Sequence, residues 1–129
     1  MRTWTAPSDA EPETAWALLA RPDAWSTWAP HLRGAWGLGS PEVREGAVGA
    51  ARLLSVIPVP AKITSRSERS WAWRVGPVEL DHRVAPAAGG SVVSISLRAP
   101  GPLEGALAAT YGPVIQLLLN RLARKAQSS

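Results

Sequence analysis

The chain has 129 residues, of which 46% are hydrophobic and 19% are charged, so it can bury the core of a single domain. It contains no cysteine, which excludes disulfide bonds, thiolate catalysis and cysteine-ligated metal sites. The net charge is +4, but the arginines are spread along the whole chain, which argues against nucleic acid as a partner. No apolar run approaches the roughly 20 residues of a membrane span, so no span is predicted.

The first third of the chain predicts one strand and two helices. Residues 2–6 have the pattern of a short strand. An acidic, proline-containing start predicts a helix over residues 8–20, and a second short helix follows from Pro22 to Trp28. Trp25 and Trp28 are three residues apart and therefore share one side of that helix. There they either cap the mouth of a pocket or anchor the short helix to a sheet.

The middle of the chain predicts six strands, because apolar and polar residues alternate between tight turns. The prolines at positions 58 and 60 predict a bend between two of these strands. Strands at such spacing form an antiparallel meander, and its apolar face must be covered by another element. The predicted strands span residues 32–38, 47–57, 61–69, 71–75, 78–84 and 93–97.

The end of the chain predicts one long helix, from Gly101 to about Lys125. A helix of about 24 residues rises about 36 Å, which is long enough to cross a small sheet. Pro113 lies inside it and predicts a kink or local opening, which either serves a pocket or lets the helix follow a curved sheet. Six side chains recur at spacings of three and four and are predicted to form its buried stripe: Leu103, Leu107, Tyr111, Val114, Leu118 and Leu122.

This order of elements predicts an α+β fold, β-α-α-β6-α, in which a curved antiparallel sheet of about seven strands wraps around the C-terminal helix. A helix held by a sheet in this way tends to leave a hollow between the two layers. We therefore expect a pocket for a mostly apolar small molecule. The chain has seven tryptophans, one tyrosine and no phenylalanine, and the large indole rings either wall this pocket or simply fill the core.

The candidate site residues are the side chains that the pattern turns inward. His82 is in phase with the apolar residues of its strand, so it either serves a ligand, as hydrogen-bond partner or general base, or is a core histidine with a backbone partner. The hydroxyl of Tyr111 requires a partner or a ligand. Ser65 or Ser67 could add a further polar group. The predicted ligand-binding set is Trp25, Trp28, Trp36, Trp71, Trp73, Leu80, His82, Tyr111 and Ile115.

Several kinds of catalytic site are excluded by the motifs that are missing. There is no Gly-x-Ser-x-Gly, phosphate loop or dinucleotide fingerprint. His31 is out of phase with its strand and is expected at the surface, and two isolated histidines give no metal site. No cofactor is expected. Asp81 and His82 are neighbours on a strand, face opposite sides and cannot form a direct dyad.

Four stretches resemble the SRPBCC superfamily, which includes the START lipid-transfer domains, the pollen-allergen-like proteins and the polyketide cyclase/dehydrase family. Residues 12–19 match its first helix, with a Pro-Glu followed by Ala-Trp-x-x-Leu. Residues 23–28 contain the Trp-x-x-Trp of its second helix. Residues 68–84 match its central hairpin, and residues 89–91 match the next turn. Together these stretches extend over nearly the whole chain.

The resemblance implies a helix-grip fold with a cavity that takes lipids, polyketides, sterols or similar molecules, and in some members cyclisation or dehydration. Because the chain is short for the group, we expect a reduced cavity. Three hypotheses stay open: a carrier of a hydrophobic small molecule, a cyclase or dehydratase with His82 as base and Tyr111 as hydrogen-bond donor, and an interaction protein with an exposed tryptophan patch. We further expect one cytoplasmic domain, with homodimerisation as an open alternative.

Overall fold

The computed structural model describes residues 1–29, 32–53 and 57–128. These residues form seven strands, an N-terminal helix α1, a short 3₁₀ helix and a long C-terminal helix α2. The strands are β1 (Arg2–Ser8), β2 (Leu32–Trp36), β3 (Val48–Leu53), β4 (Ile57–Ser67), β5 (Ser70–Val75), β6 (Val78–Ala87) and β7 (Gly90–Arg98), and the helices are α1 (Pro12–Ala20), the 3₁₀ helix (Pro22–Thr27) and α2 (Pro102–Gln127).

The seven strands form one antiparallel sheet in the order β1-β7-β6-β5-β4-β3-β2. Strands β2 to β7 are a meander in which each strand pairs with the next, while β1 crosses over to pair with β7. This arrangement, with the long helix following the last strand, confirms the predicted helix-grip architecture. It also makes β1 and β2 the two edges of the sheet.

The bend predicted at Pro58 and Pro60 is wrong, because both prolines lie inside β4 and pair with β3. The pairing of β4 with β5 begins only at Lys62. The proline-containing end of β4 therefore has a partner strand on one side only. Proline is tolerated at such a position because no ladder hydrogen bond is lost when its nitrogen faces the unpaired side.

The core lies on one face of the sheet, beneath α1 and α2. The alternation predicted for β6 and β7 is confirmed, since His82 and Val84 are buried on β6, as are Val93 and Ile95 on β7. Acidic and basic residues occupy the opposite face, where Arg83 contacts Asp81 at 3.0 Å. We call the buried side the concave face and the charged side the convex face.

Helix α2 lies along the β1 edge rather than over the centre of the sheet. The Gln116 side chain donates a hydrogen bond to the carbonyl of Thr5 on β1, at 2.8 Å. Gly112 lies directly against the ring of Trp4, and an added Cβ would come within 3.0 Å of that ring. The main contacts of α2 are accordingly with β1, β7 and α1.

The stripe predicted for α2 is wrong in its register. Of its six members only Leu122 is fully buried, Leu107 and Leu118 are half-buried, and the other three are exposed. The error has a physical cause: residues 105–120 contain no charged side chain, so an apolar period can be drawn along more than one face. Small residues on the buried face let the helix approach β1 closely. The buried residues of α2 are Gly112, Ile115, Leu119, Leu122, Ala123 and Ala126.

Candidate functional site

Four aromatic rings meet on the concave face and form the aromatic cluster, which we define as Trp25, Trp71, Trp73 and His82. Trp71 stacks on His82 with ring centroids 3.8 Å apart and on Trp25 with centroids 5.4 Å apart. Trp73 meets the other three rings edge to face, at centroid distances of 5.4 to 6.0 Å. The cluster brings together residues from β5, β6 and the 3₁₀ helix that the sequence predicted as one site.

The carbonyl groups at the end of α1 accept most of the indole N–H groups in this region. Trp25 and Trp71 both donate to the carbonyl of Leu19, at 2.9 and 3.1 Å, and Trp28 donates to that of Leu18 at 2.9 Å. The last four carbonyls of a helix have no partner within the helix, and these bonds satisfy two of them, those of Leu18 and Leu19. Trp28 therefore anchors the 3₁₀ helix to α1, whereas the prediction named the sheet as the anchoring partner.

The indole N–H of Trp73 differs from these three. Its Nε1 atom is buried and has no hydrogen-bond partner among the described residues. The ring itself is half-buried. Its neighbours on the adjacent strands are Ile63 and Leu80, whose side chains offer no acceptor.

His82 is a buried, neutral imidazole. Burial lowers its pKa from 6.5 to about 4, a shift that the nearby Trp71 carbonyl and Asp81 only partly offset. Its Nδ1 atom lies 3.3 Å from the Trp71 carbonyl oxygen. Because that oxygen can only accept, the hydrogen of the neutral ring belongs on Nδ1, and Nε2 keeps the lone pair. His82 is thus a much weaker base than an ordinary histidine at neutral pH.

Two predicted ligand-binding residues on α2 lie away from the aromatic cluster. Tyr111 is 52% exposed, so the expectation that it lies on the buried stripe is wrong. Tyr111 immediately precedes Gly112, and one helical step of about 100° turns it away from Trp4 and β1, to the flank of α2 that also carries Leu107 and Leu118. Ile115 is buried in the core beneath α2. Ser65 and Ser67 on β4 are exposed and do not join the inner polar groups.

The side chains on the concave face become less buried towards the hairpin between β5 and β6. Val84 and the Trp71–His82 pair are buried, whereas the next cross-strand pairs, Trp73 with Leu80 and Val75 with Val78, are half-buried. Helix α2 lies over β1 and β7 and leaves these pairs largely uncovered. We define the concave groove as this surface of the sheet together with the half-buried flank of α2 that is turned away from β1. The sheet contributes Trp73, Val75, Val78 and Leu80, and α2 contributes Leu107 and Leu118.

A second opening lies between the 3₁₀ helix and the segment that follows β2. This cleft has a volume of about 600 Å³ and brings together two predicted ligand-binding residues, Trp25 and Trp36. Trp36 is 48% exposed, while Trp25 is buried except where it borders the cleft. The remaining lining residues are Pro22, Asp23, Ser26, Ala35, Gly37, Gly39, Ser40 and Pro41.

The structure adds residues that the predicted set did not contain. Val75 and Val78 follow the same alternation as Trp73 and Leu80, so the strand pattern was sufficient to find them. The residues of the second cleft include Ser40 and Pro41, which come from a loop that lines the cleft together with the 3₁₀ helix. No periodic signal marks such a loop in sequence.

Two further properties concern metals and membranes. Among residues 1–29, 32–53 and 57–128, no three His, Cys, Asp or Glu side chains lie close enough together to hold a metal ion. Within the same ranges no helix is both long and apolar enough to cross a bilayer. The prediction for His31 falls outside the described residues.

Solved structures with the same fold come from several kinds of protein. A START superfamily protein from Mycobacterium smegmatis has 16% identity and a TM-score of 0.72, with 98% of this chain and 97% of that chain covered. Ara h 8.0201 has 13% identity and a TM-score of 0.73, with 99% and 97% covered. DynU16, a putative protein of the dynemicin biosynthetic locus, has 16% identity and a TM-score of 0.77, and the match takes in 98% of this chain but 46% of that one.

These likenesses show the fold, and the sequence itself shows the family. No protein of curated function matches the chain. The family model described as "Polyketide cyclase / dehydrase and lipid transport" matches residues 3–127, which is nearly the whole chain and agrees with the resemblance found in its motifs. The chain therefore belongs to the polyketide cyclase/dehydrase and lipid transport family and has the helix-grip fold.

Proposed function

We propose that the protein binds a hydrophobic small molecule in the concave groove. The observation that carries this proposal is that four side chains on the same face as the core are only half-buried. They are Trp73, Val75, Val78 and Leu80. Large apolar side chains in such a position are normally covered. An apolar ligand would cover them and would lie between the sheet and the flank of α2.

The charge distribution supports an uncharged or weakly polar ligand. The charged side chains of β5 and β6, Arg74, Glu79 and Asp81 among them, lie on the convex face, where Glu79 pairs with Arg74 and Arg98. The groove residues themselves are all apolar or aromatic. Transfer of apolar area from water then supplies most of the binding free energy, at about 25 cal/mol per Å² buried.

A bulky substitution in the groove tests the proposal. We expect Val78→Trp to fill the groove and weaken binding of apolar probes at least about tenfold, a loss of roughly 1.4 kcal/mol. The probes are oleic acid, 1-naphthol and menadione, and binding is measured by the rise in Tm and by isothermal titration. Val92→Trp is the matched control, because Val92 is a half-buried β7 residue on the convex face.

The outcomes separate the groove from other sites. Probes that stabilise the wild type and the Val92→Trp variant but not the Val78→Trp variant support the groove. Equal binding to all three proteins places the ligand elsewhere, with the cleft beside Trp25 and Trp36 as the next site to test. If none of the probes binds the wild type, the proposal fails.

A cyclase or dehydratase role for His82 and Tyr111 stays a prediction. The family includes such enzymes, but the low pKa of His82 makes it a weak base at neutral pH. Tyr111 is 52% exposed, so its hydroxyl is not held as a buried hydrogen-bond donor. Binding is therefore the function that the described site supports best.

A further inference from the structure

We infer that the ligand carries a carbonyl or similar oxygen, and that this oxygen accepts a hydrogen bond from the indole N–H of Trp73. This inference rests on the proposed function and narrows its ligand class from any apolar molecule to one with an acceptor oxygen set in an apolar skeleton. It assigns Trp73 a specific polar role in addition to its role as part of an apolar wall.

The inference starts from the contrast among the tryptophans. The N–H groups of Trp25, Trp28 and Trp71 all reach carbonyls of α1 at 2.9 to 3.1 Å. Trp73 Nε1 is buried and has no partner among the described residues. A buried donor without a partner is costly to the folded state, and native structures contain few of them. Such a group requires an explanation, and an acceptor oxygen on a ligand would supply its missing partner.

The only other buried side-chain atom of this kind in the described part of the chain does not belong to the site. It is Asp81 Oδ1, and its partner oxygen Oδ2 accepts hydrogen bonds from Arg83. Asp81 alternates with His82 along β6 and therefore lies on the convex face. Among the described residues, Trp73 thus carries the one buried, unpaired side-chain polar atom on the concave face.

The surroundings of Trp73 determine which kind of acceptor its N–H can bind. The cross-strand neighbours Ile63 and Leu80 are apolar, and His82 is uncharged at neutral pH because burial lowers its pKa to about 4. The groove residues include no cationic side chain, so the charge of a bound carboxylate would have no partner there. A neutral acceptor therefore fits this position better than an anion, since a buried unpaired charge is far more costly than a buried neutral oxygen.

A matched ligand pair tests the inference. 1-Tetralone and tetralin share one bicyclic carbon skeleton and differ by a carbonyl in place of a methylene group. We expect 1-tetralone to bind the wild type about five- to tenfold more tightly than tetralin. In Trp73→Phe, which keeps an aromatic ring but removes the N–H, this preference should fall below about twofold while tetralin affinity is retained.

Trp28→Phe is the control, because it removes an indole N–H that is already bonded to α1 and lies outside the concave groove. We expect it to keep the preference for 1-tetralone. In the free protein it should lower the Tm more than Trp73→Phe does, since only Trp28→Phe deprives an acceptor, the Leu18 carbonyl, of its donor. The indole ¹⁵N–¹H resonance of Trp73 should shift downfield with 1-tetralone and not with tetralin.

Each outcome has one meaning. Loss of the preference in Trp73→Phe alone supports the inference. Equal binding of the two compounds to the wild type, or a preference that survives in Trp73→Phe, overturns it while leaving the proposed function standing. Failure of both compounds to bind, together with unchanged behaviour of Val78→Trp towards the probes above, overturns the proposed function and the inference with it.

Discussion

Trp71→Ala is expected to lower the free energy of unfolding by about 4 kcal/mol, the range found for large-to-small changes at buried aromatic positions. Trp71 is 2% exposed and is stacked between His82 and Trp25. Its N–H also donates to the carbonyl of Leu19. The change removes apolar contacts on both ring faces and leaves that helix-terminal carbonyl with one donor fewer. Urea denaturation with a two-state fit measures the effect.

Trp36→Ala is the matched control for this experiment. Trp36 is 48% exposed, so its truncation is expected to cost only about 1 kcal/mol, which is typical of point substitutions in general. A stability loss for Trp71→Ala no larger than that of Trp36→Ala would show that the aromatic cluster does not form the centre of the core. The comparison uses the same residue type and therefore the same change in the unfolded chain.

The stability of the protein is expected to fall as the pH drops from 6.5 to 4, and His82 should account for about 3 kcal/mol of that fall. Burial lowers the pKa of His82 from 6.5 to about 4 in the folded protein. Between these two values the unfolded chain binds a proton at His82 and the folded protein does not, so acid favours unfolding. Above pH 6.5 both states are neutral at this position and the contribution is fully present.

The His82 contribution is isolated by comparison with variants that cannot titrate. His82→Phe keeps a ring against Trp71 and His82→Gln keeps a polar group, and both should show a shallower loss of unfolding free energy between pH 7 and pH 4. A direct measurement uses the ring ¹H NMR signal of His82 in a His31→Gln background. A titration midpoint near 6.5 in the folded protein, or identical pH profiles for wild type and both variants, would contradict the buried neutral imidazole.

The sequence predicted the sheet well because alternation is a local property. On β6 and β7 apolar residues recur at every second position, and tight turns separate the strands, so the presence of the strands and their inner face follow directly. Their limits were predicted too short, because β6 continues to Ala87 and β7 begins at Gly90. The prediction failed at Pro58 and Pro60 for a nonlocal reason. Whether proline is tolerated there depends on how far β5 extends along β4, which a local pattern does not contain.

The candidate site was predicted in part, for similar reasons. Trp71, Trp73, Leu80 and His82 share the face that alternation assigned to them. The prediction for α2 was wrong at Tyr111. The uncharged stretch of α2 permits several apolar stripes, and which stripe is buried depends on where the helix lies relative to β1. The position of α2 is set by small residues such as Gly112 against Trp4, a contact between residues far apart in the chain.

The unpaired N–H of Trp73 could not be predicted from sequence. The seven tryptophans are chemically identical, and which indole nitrogen finds a carbonyl depends on where the end of α1 lies. The bonds from Trp25 and Trp71 to the carbonyl of Leu19 are set by the packing of α1 against the sheet. The same packing decides that Trp73 is left without such a partner.

The central claim is that an apolar ligand occupies the space between the sheet and the flank of α2. Intermolecular ¹H NOEs from bound 1-naphthol to methyl-labelled protein test it most directly. The account predicts NOEs to the methyl groups of Val78, Leu80 and Leu107 and to the Trp73 ring. NOEs confined to the residues around Trp36 and Pro41, or to the convex-face residue Val92, would contradict it.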